Sequence, residues 1–284
     1  MQPHLSWIGK AKIAYLLSRQ EYHGSSDRRM QVDLNLFTNA VANRVEQLPL
    51  FETIRSFSEV FDPGSFQNIR VFCHAAPLSI KFEDLYARLR DGMPGRKIEL
   101  YSTRGLADGY VRSLHASDAA FVFQLEHDYC FDAGHVKHSV SAICQAMRNT
   151  AIPYLRFNIR PNFDNELDRI SEFRMNDILC CNTVIFSNHP HFLDRAYALK
   201  HYVPVIDPLA GGSRGIEDRL TGRFRLGWIY GPYGHLAVIR HIDGRERLKK
   251  WRRQRLSWRL AEFISRHRTR LRDHFGWGYY GRVY

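Results

Sequence analysis

No run of apolar residues in this sequence approaches the ~20 that a membrane-spanning helix needs. The stretch Ile13-Ala14-Tyr15-Leu16-Leu17 is also too short for the apolar core of a secretory signal. Cysteine is sparse. Cys73, Cys130, Cys144, Cys180 and Cys181 form an odd set without C-x-x-C spacing, which argues against a zinc site or a disulfide framework and favours a reducing compartment. Also absent are a G-x-G-x-x-G after a strand-like run, a Walker A lysine loop and a G-x-S-x-G elbow. These absences argue against a dinucleotide oxidoreductase, a P-loop NTPase and an α/β-hydrolase. A soluble, cytoplasmic protein is expected.

What is present is enough apolar material for one full-sized core or two small ones: 284 residues, 44% hydrophobic and 25% charged. Forty-one Lys and Arg against 29 Asp and Glu give a formal charge of +12, so an acidic partner has to be considered. The excess is concentrated in one place. Residues 245–272 carry twelve Lys or Arg against Glu246 and Glu262, and contain no Gly or Pro. Trp251, Leu256, Trp258 and Phe263 are interleaved there without a clean apolar face. A peripheral helix on an anionic membrane surface uses such a composition, as do a docked helix with a solvated basic face and a nucleic-acid contact; the membrane reading comes first and nucleic acid last. The chain thus divides into an N-terminal extension (1–29), an α/β domain (30–244) and a basic, aromatic C-terminal helical segment (245–284).

Within 30–125 the apolar periodicity alternates between two and 3.6 residues. Strands are expected at Met30 to Ala40, Ile69 to His74, Lys97 to Tyr101 and Ala119 to Leu125, with helices at Leu48 to Val60, Phe82 to Arg90 and Ala107 to Leu114. The last strand carries no charge, which suits burial on both faces, and the alternation implies a parallel sheet. In open parallel sheets ligands collect beyond the carboxyl ends of the strands.

Glu126-His127-Asp128 stands at that position. Two carboxylates two residues apart can point into one cleft and hold Mg²⁺ or Mn²⁺ against a diphosphate, or they can simply cap the next turn. Further on, Gly211-Gly212-Ser213-Arg214-Gly215-Ile216-Glu217-Asp218 sets a glycine loop before a carboxylate pair that opens an expected helix. Such a loop allows close backbone approach to a substrate, with a carboxylate near an acceptor hydroxyl; the alternative is a helix start with a favourable acidic first turn. Residues 151–162 read as a strand with Arg156, Asn158 and Arg160 on one face, either solvated or binding hydroxyls or an anionic acceptor. Thr183 to Phe186 reads as an apolar strand running into Ser187-Asn188-His189-Pro190-His191, where His189 and His191 serve acceptor binding or a turn.

The order of strands, helices, acidic triplet, glycine loop, Glu-Asp pair and late histidine resembles the GT-A fold glycosyltransferases over roughly residues 30 to 245. The resemblance implies an α/β, GT-A-like fold, a Rossmann-like mixed sheet flanked by helices. It also implies a metal-dependent enzyme that moves a sugar from a UDP- or GDP-type nucleoside-diphosphate sugar to a hydroxyl of a glycan or glycolipid (lipid-linked) acceptor, with inversion. Asp128 would ligate Mn²⁺ or Mg²⁺, Glu126 would approach the ribose or a metal-bound water, and His241, with His235 as second choice, would complete the metal site. Asp218 would be the general base and Glu217 would orient the acceptor or the loop. Thr38 and Arg104, after the first and third strands, would join Gly211 and Gly212 in holding the donor. Glu126 stands where the family most often has Asp; both supply oxygen ligands.

Two rivals remain at this level. A nucleotidyltransferase shares the acidic metal pair but would carry a glycine- and lysine-rich loop after its first strand, and Thr38 to Arg44 has neither residue. A nucleic-acid-binding protein without catalysis would use the basic segment and leave the carboxylates structural.

Overall fold

The computed structural model describes residues 30–39, 48–74, 82–164, 170–209, 215–222 and 227–242. The chain separates into two units, 1–242 and 243–284. The N-terminal extension and the basic C-terminal segment lie outside the described residues, as do Gly211 and Gly212. No described helix is long and apolar enough to cross a membrane.

The first half follows the expected alternation: β1 (Val32–Asn39), α1 (Pro49–Val60), β2 (Ile69–His74), α2 (Phe82–Gly92), β3 (Ile98–Thr103), α3 (Leu106–Ala116) and β4 (Phe121–Glu126). These four strands pair in parallel, in the order β3-β2-β1-β4. Pro49 opens α1 in the first turn, where its missing N–H would have had no partner. Leu50, Ile54 and Phe57 recur at helical spacing and bury one face of α1.

After β4 come β5 (Tyr129–Phe131), α4 (Val140–Thr150), β6 (Tyr154–Arg156), β7 (Glu172–Met175), β8 (Ile178–Thr183), β9 (His191–Asp194), α5 (Arg195–His201), α6 (Glu217–Leu220), β10 (Gly227–Tyr230) and β11 (Ile239–His241). The main sheet continues as β4-β9-β6-β10-β8-β7, and β5 and β11 form a separate antiparallel ribbon. β9 runs antiparallel to both β4 and β6, so the sheet is mixed.

The two faces of this sheet are chemically different. On the α1 face, Leu34, Leu36, Phe123 and Phe192 pack with Phe57, Phe61, Phe131 and Phe157 in a single apolar cluster. The Phe123 and Phe192 rings meet at 4.5 Å, and each fully buried side chain of this size contributes about 1.5–3 kcal/mol. On the α3 face a row of polar side chains crosses six neighbouring strands in register: Glu99, Arg70, Asn35, Gln124, His191 and Arg156. At one end of the row Arg70 is held between Asp33 and Glu99, and Asp33 also accepts from Ser117 Oγ at 2.5 Å. α3 and α5 cover this face through Tyr110, Leu114 and Ala198.

Two sequence expectations are corrected here. The strand read over 151–162 spans only Tyr154–Arg156. Beyond it the amide of Asn158 donates to the carbonyl of Arg160 and to Asn162 Oδ1, closing a turn ahead of Pro161, so Arg156, Asn158 and Arg160 do not share a strand face. The strand read at Thr183 to Phe186 instead ends at Thr183. There Thr183 Oγ1 accepts from the Ile185 N–H at 3.1 Å and turns the chain, and Phe186 leaves the sheet to stack on Tyr154.

Candidate active site

The acidic triplet is fixed from three sides. β4 delivers Glu126 to the carboxyl edge of the sheet, the His127 N–H donates to the Phe37 carbonyl of β1, and Thr53 Oγ1 of α1 donates to the His127 carbonyl at 2.6 Å. The β5–β11 ribbon then sets His241 opposite Tyr129, and the Ile242 N–H donates to the Asp128 carbonyl. As a result His241 Nε2 lies 3.0 Å from Asp128 Oδ2. Asp128 Oδ1 is buried and has no hydrogen-bond partner among the described residues. Burial alone would push the Asp128 carboxyl up, but the hydrogen bond from His241 and the charges of His127 and His241 outweigh it and hold the group below the usual carboxylate range.

Glu126 goes the other way. Burial first, then the negative charges of Asp128 and Glu217, push its carboxyl well above the usual range. Glu126, at the end of β4, thus feels the charges of Asp128 in the turn that follows and of Glu217 on α6. No described group of three or more His, Cys, Asp and Glu side chains is arranged as a closed metal site. Asp128 and His241 are brought into contact, whereas Glu126 approaches them only closely enough for charge repulsion. The donor chemistry nevertheless fits a divalent cation: a buried carboxylate oxygen without a partner, an imidazole beside it and an excess of negative charge.

Opposite lies α6. Glu217, half-buried, accepts on Oε1 from Ser187 Oγ at 3.0 Å and from the Asn188 N–H at 2.7 Å. No described residue donates to its Oε2. Asp218 is exposed. Consecutive residues on a helix point about 100° apart: Glu217 is the one turned to the 187–188 loop, and Asp218 points elsewhere.

Arg156 and His191 are direct neighbours across the β6–β9 pair. His191 is 1% exposed and bonded to the Tyr110 hydroxyl and the His189 carbonyl. Burial and the Arg156 charge push its imidazole down to about 4 against the favourable carbonyl bond. His189 falls to about 3, through burial and then the charges of Arg156, His191, His241 and Arg160. Both are neutral at pH 7. For such depressed bases stability is complete above the ordinary histidine value of 6.5, and it is lost as pH falls through the window down to about 4, because only the unfolded chain takes up the protons. His191 alone then contributes a loss on the order of 3 kcal/mol. The thermal midpoint should therefore drop steeply between pH 6.5 and 4, and His191→Gln should flatten that profile in calorimetry; an unchanged slope would reject the assignment.

On the donor side, Thr38 Oγ1 and His74 Nδ1 are buried at the carboxyl ends of β1 and β2 and have no partner among the described residues. His74 was missed in the sequence, where only its position at a strand end marked it. Arg104 follows β3, and its guanidinium bonds Asp108 in the first turn of α3 at 2.9 Å. Asn158 holds its own turn, as described above, and Arg160 is exposed. His235 is no part of the cleft: its ring bonds the His135 carbonyl and packs on Gly231, where φ is +93° and an added Cβ would meet it at 2.2 Å. Ser187 and Asn188 hold Glu217, a role that nothing in the local sequence marks. All five cysteines are buried, and no disulfide joins any of them.

No family model matches the sequence, and neither does any curated protein. Solved structures do. The fragment TarS 1-349 of S. aureus aligns with 75% of this chain and 60% of its own length, at 8% identity and a TM-score of 0.51. The same fragment in complex with UDP-GlcNAc gives 76% and 59%, at 10% identity and 0.50. GalNAc-T7 with UDP, GalNAc and Mn²⁺ gives 77% and 45%, at 9% identity and 0.52. The chain thus spans 45% to 60% of these relatives. The mixed sheet flanked by helices is GT-A-like.

Proposed function

We propose that this protein is a nucleotide-sugar-dependent glycosyltransferase that transfers a sugar to a hydroxyl of a glycan or lipid-linked acceptor with inversion. The observation that carries the reading is the confrontation of Glu126 and Asp128, at the end of β4, with Glu217 from α6 across one cleft of a GT-A-like sheet. Like-charged groups held together in this way raise the free energy of the ligand-free site, and a ligand that neutralises them recovers it. The presence of UDP-GlcNAc with TarS, and of UDP and Mn²⁺ with GalNAc-T7, favours a nucleoside-diphosphate sugar and a divalent cation here.

Asp128 and His241 would hold Mn²⁺ or Mg²⁺, with Glu126 beside them, and the cation would neutralise charge on the departing diphosphate. Thr38 and His74 present unpaired buried atoms at the strand ends over which the nucleotide would lie. Glu217 Oε2 would accept the proton of the attacking hydroxyl, while Oε1 stays bonded to Ser187 and Asn188. An ordinary carboxylate, with a pKa near ~4, is too weak to deprotonate a hydroxyl in advance, so proton transfer accompanies departure of the diphosphate. The basic segment 245–272 would hold the protein against an anionic membrane surface.

Thermal-shift titration tests the core of this reading. With Mn²⁺ present, UDP or GDP and one of their sugars at 100 times Kd should stabilise the protein by about 2.7 kcal/mol, raising the midpoint by roughly 5–10 °C. Indifference of the midpoint to every nucleoside diphosphate and nucleotide sugar, with and without cation, would sink the proposal.

A further inference from the structure

Arg156 closes β6 and is 6% exposed. A cation so deeply placed ordinarily has a carboxylate against it. The same polar row supplies the comparison: Arg70, 5% exposed, lies between Asp33 and Glu99. Arg156 has no such partner among the described residues. Its Nη2 approaches Thr183 Oγ1 at a long 3.5 Å, its guanidinium meets the Tyr154 hydroxyl, and its buried Nε has no partner among the described residues. The histidines beside it supply no counter-charge, since an imidazole is either neutral or cationic.

The neighbouring loop repeats the pattern. Asn188 is 6% exposed, with neither Nδ2 nor Oδ1 bonded, and His189 Nδ1 is buried and unpaired. The Asn188 backbone holds Glu217, so these unpaired atoms stand next to the carboxylate assigned to the attacking hydroxyl. Neutral sugar hydroxyls would satisfy the amide and the imidazole. Only an anion satisfies a desolvated guanidinium as well, through charge-assisted hydrogen bonds.

Position separates this group from the diphosphate. Gln124 on β4 is in register with His191 on β9, and His191 with Arg156 on β6. Arg156 thus lies two strand spacings, roughly 10 Å, from β4. That displacement is away from β1, β2 and β3, whose ends form the nucleotide side. We infer that Arg156, with Asn188 and His189, forms a subsite for a carboxylate or phosphate on the acceptor, so that the sugar is delivered to an anionic glycan unit. The inference rests on the glycosyltransferase reading above.

The test uses the full chain with Mn²⁺ and saturating UDP or GDP, whichever binds. Glucuronate and glycerol 3-phosphate are titrated against glucose and glycerol, and the melting midpoint is read. The expected result is a rise with both anions and not with their neutral counterparts. In Arg156→Gln that response should weaken at least tenfold in anion concentration, Arg156→Lys should keep part of it, and the nucleotide response should stay parental in both. Ligand-free Arg156→Gln should melt at or above the parent, since an unpaired buried charge has been removed. A lower midpoint, or failure to fold, would make Arg156 structural and overturn the subsite. Equal responses to glucuronate and glucose, or no response to either anion, would overturn it too. Loss of the nucleotide response in Arg156→Gln would move Arg156 to the donor diphosphate. If no nucleotide stabilises the parent, while the anions applied alone still do so through Arg156, the glycosyltransferase reading fails and the anion site stands.

Discussion

Glu217→Gln should lower kcat by about 10²–10⁴-fold, the range for loss of a positioned general base, while KM for the donor stays near its parental value. The substitution is well suited to this structure. Glutamine keeps a carbonyl oxygen where Oε1 accepts from Ser187 and Asn188, so the 187–190 loop and the fold should survive, and what is lost is the proton acceptor at Oε2. Asp218→Asn alters an exposed neighbour and should stay within a few-fold of the parent. Initial rates measured across pH distinguish the two roles, because loss of a base removes the acidic limb of the profile and a purely structural Glu217 leaves it in place. Near-parental turnover in Glu217→Gln, or a collapse in Asp218→Asn, would return the base to Asp218.

The second large effect belongs to Asp128. Among the described residues, Asp128 is the one carboxylate with a buried oxygen that lacks a partner, and Asp128→Asn removes it. Charge stabilisation of a departing diphosphate by a metal amounts to several kcal/mol. At ~1.4 kcal/mol per tenfold change, kcat/KM should fall by roughly 10³-fold or more, and Mn²⁺ should no longer alter nucleotide affinity. His241→Ala removes one of the two groups assigned to the cation and should weaken cation affinity by about 10–100-fold, because Asp128 remains. Calorimetric titration of Mn²⁺ in the presence of nucleotide separates these outcomes from misfolding. If Asp128→Asn binds the cation as the parent does, the metal assignment is wrong.

The sequence makes one half of this architecture plain and the other half obscure, for physical reasons. Up to Glu126 each strand has six or eight residues and each helix at least eleven, long enough for the two hydrophobic periods to separate. Beyond it, β6, β9, β10 and β11 have three or four residues, too few for a period to register, and their partners lie far away in the chain. The contact of His241 with Asp128 depends on an antiparallel ribbon closed across more than a hundred residues, so no local spacing reveals it. Glu217 and Asp218 are chemically alike and adjacent, and only the facing of a four-residue helix decides between them. Arg156 could be suspected as a cleft residue, but that no described carboxylate pairs with it is visible only once the sheet is assembled.

The division between the two sheet faces bears on how such a protein can change. On the α1 face close-packed phenylalanines leave little freedom, since altering one ring disturbs several others. The α3 face carries its polar row under a thinner apolar cover, and the part of it nearest the cleft is incompletely bonded. Inherited substitutions at positions 156, 188 and 189 should therefore alter which acceptors are used long before they threaten folding. A laboratory selection confined to those three positions samples new specificities on a scaffold whose integrity is secured from the opposite side.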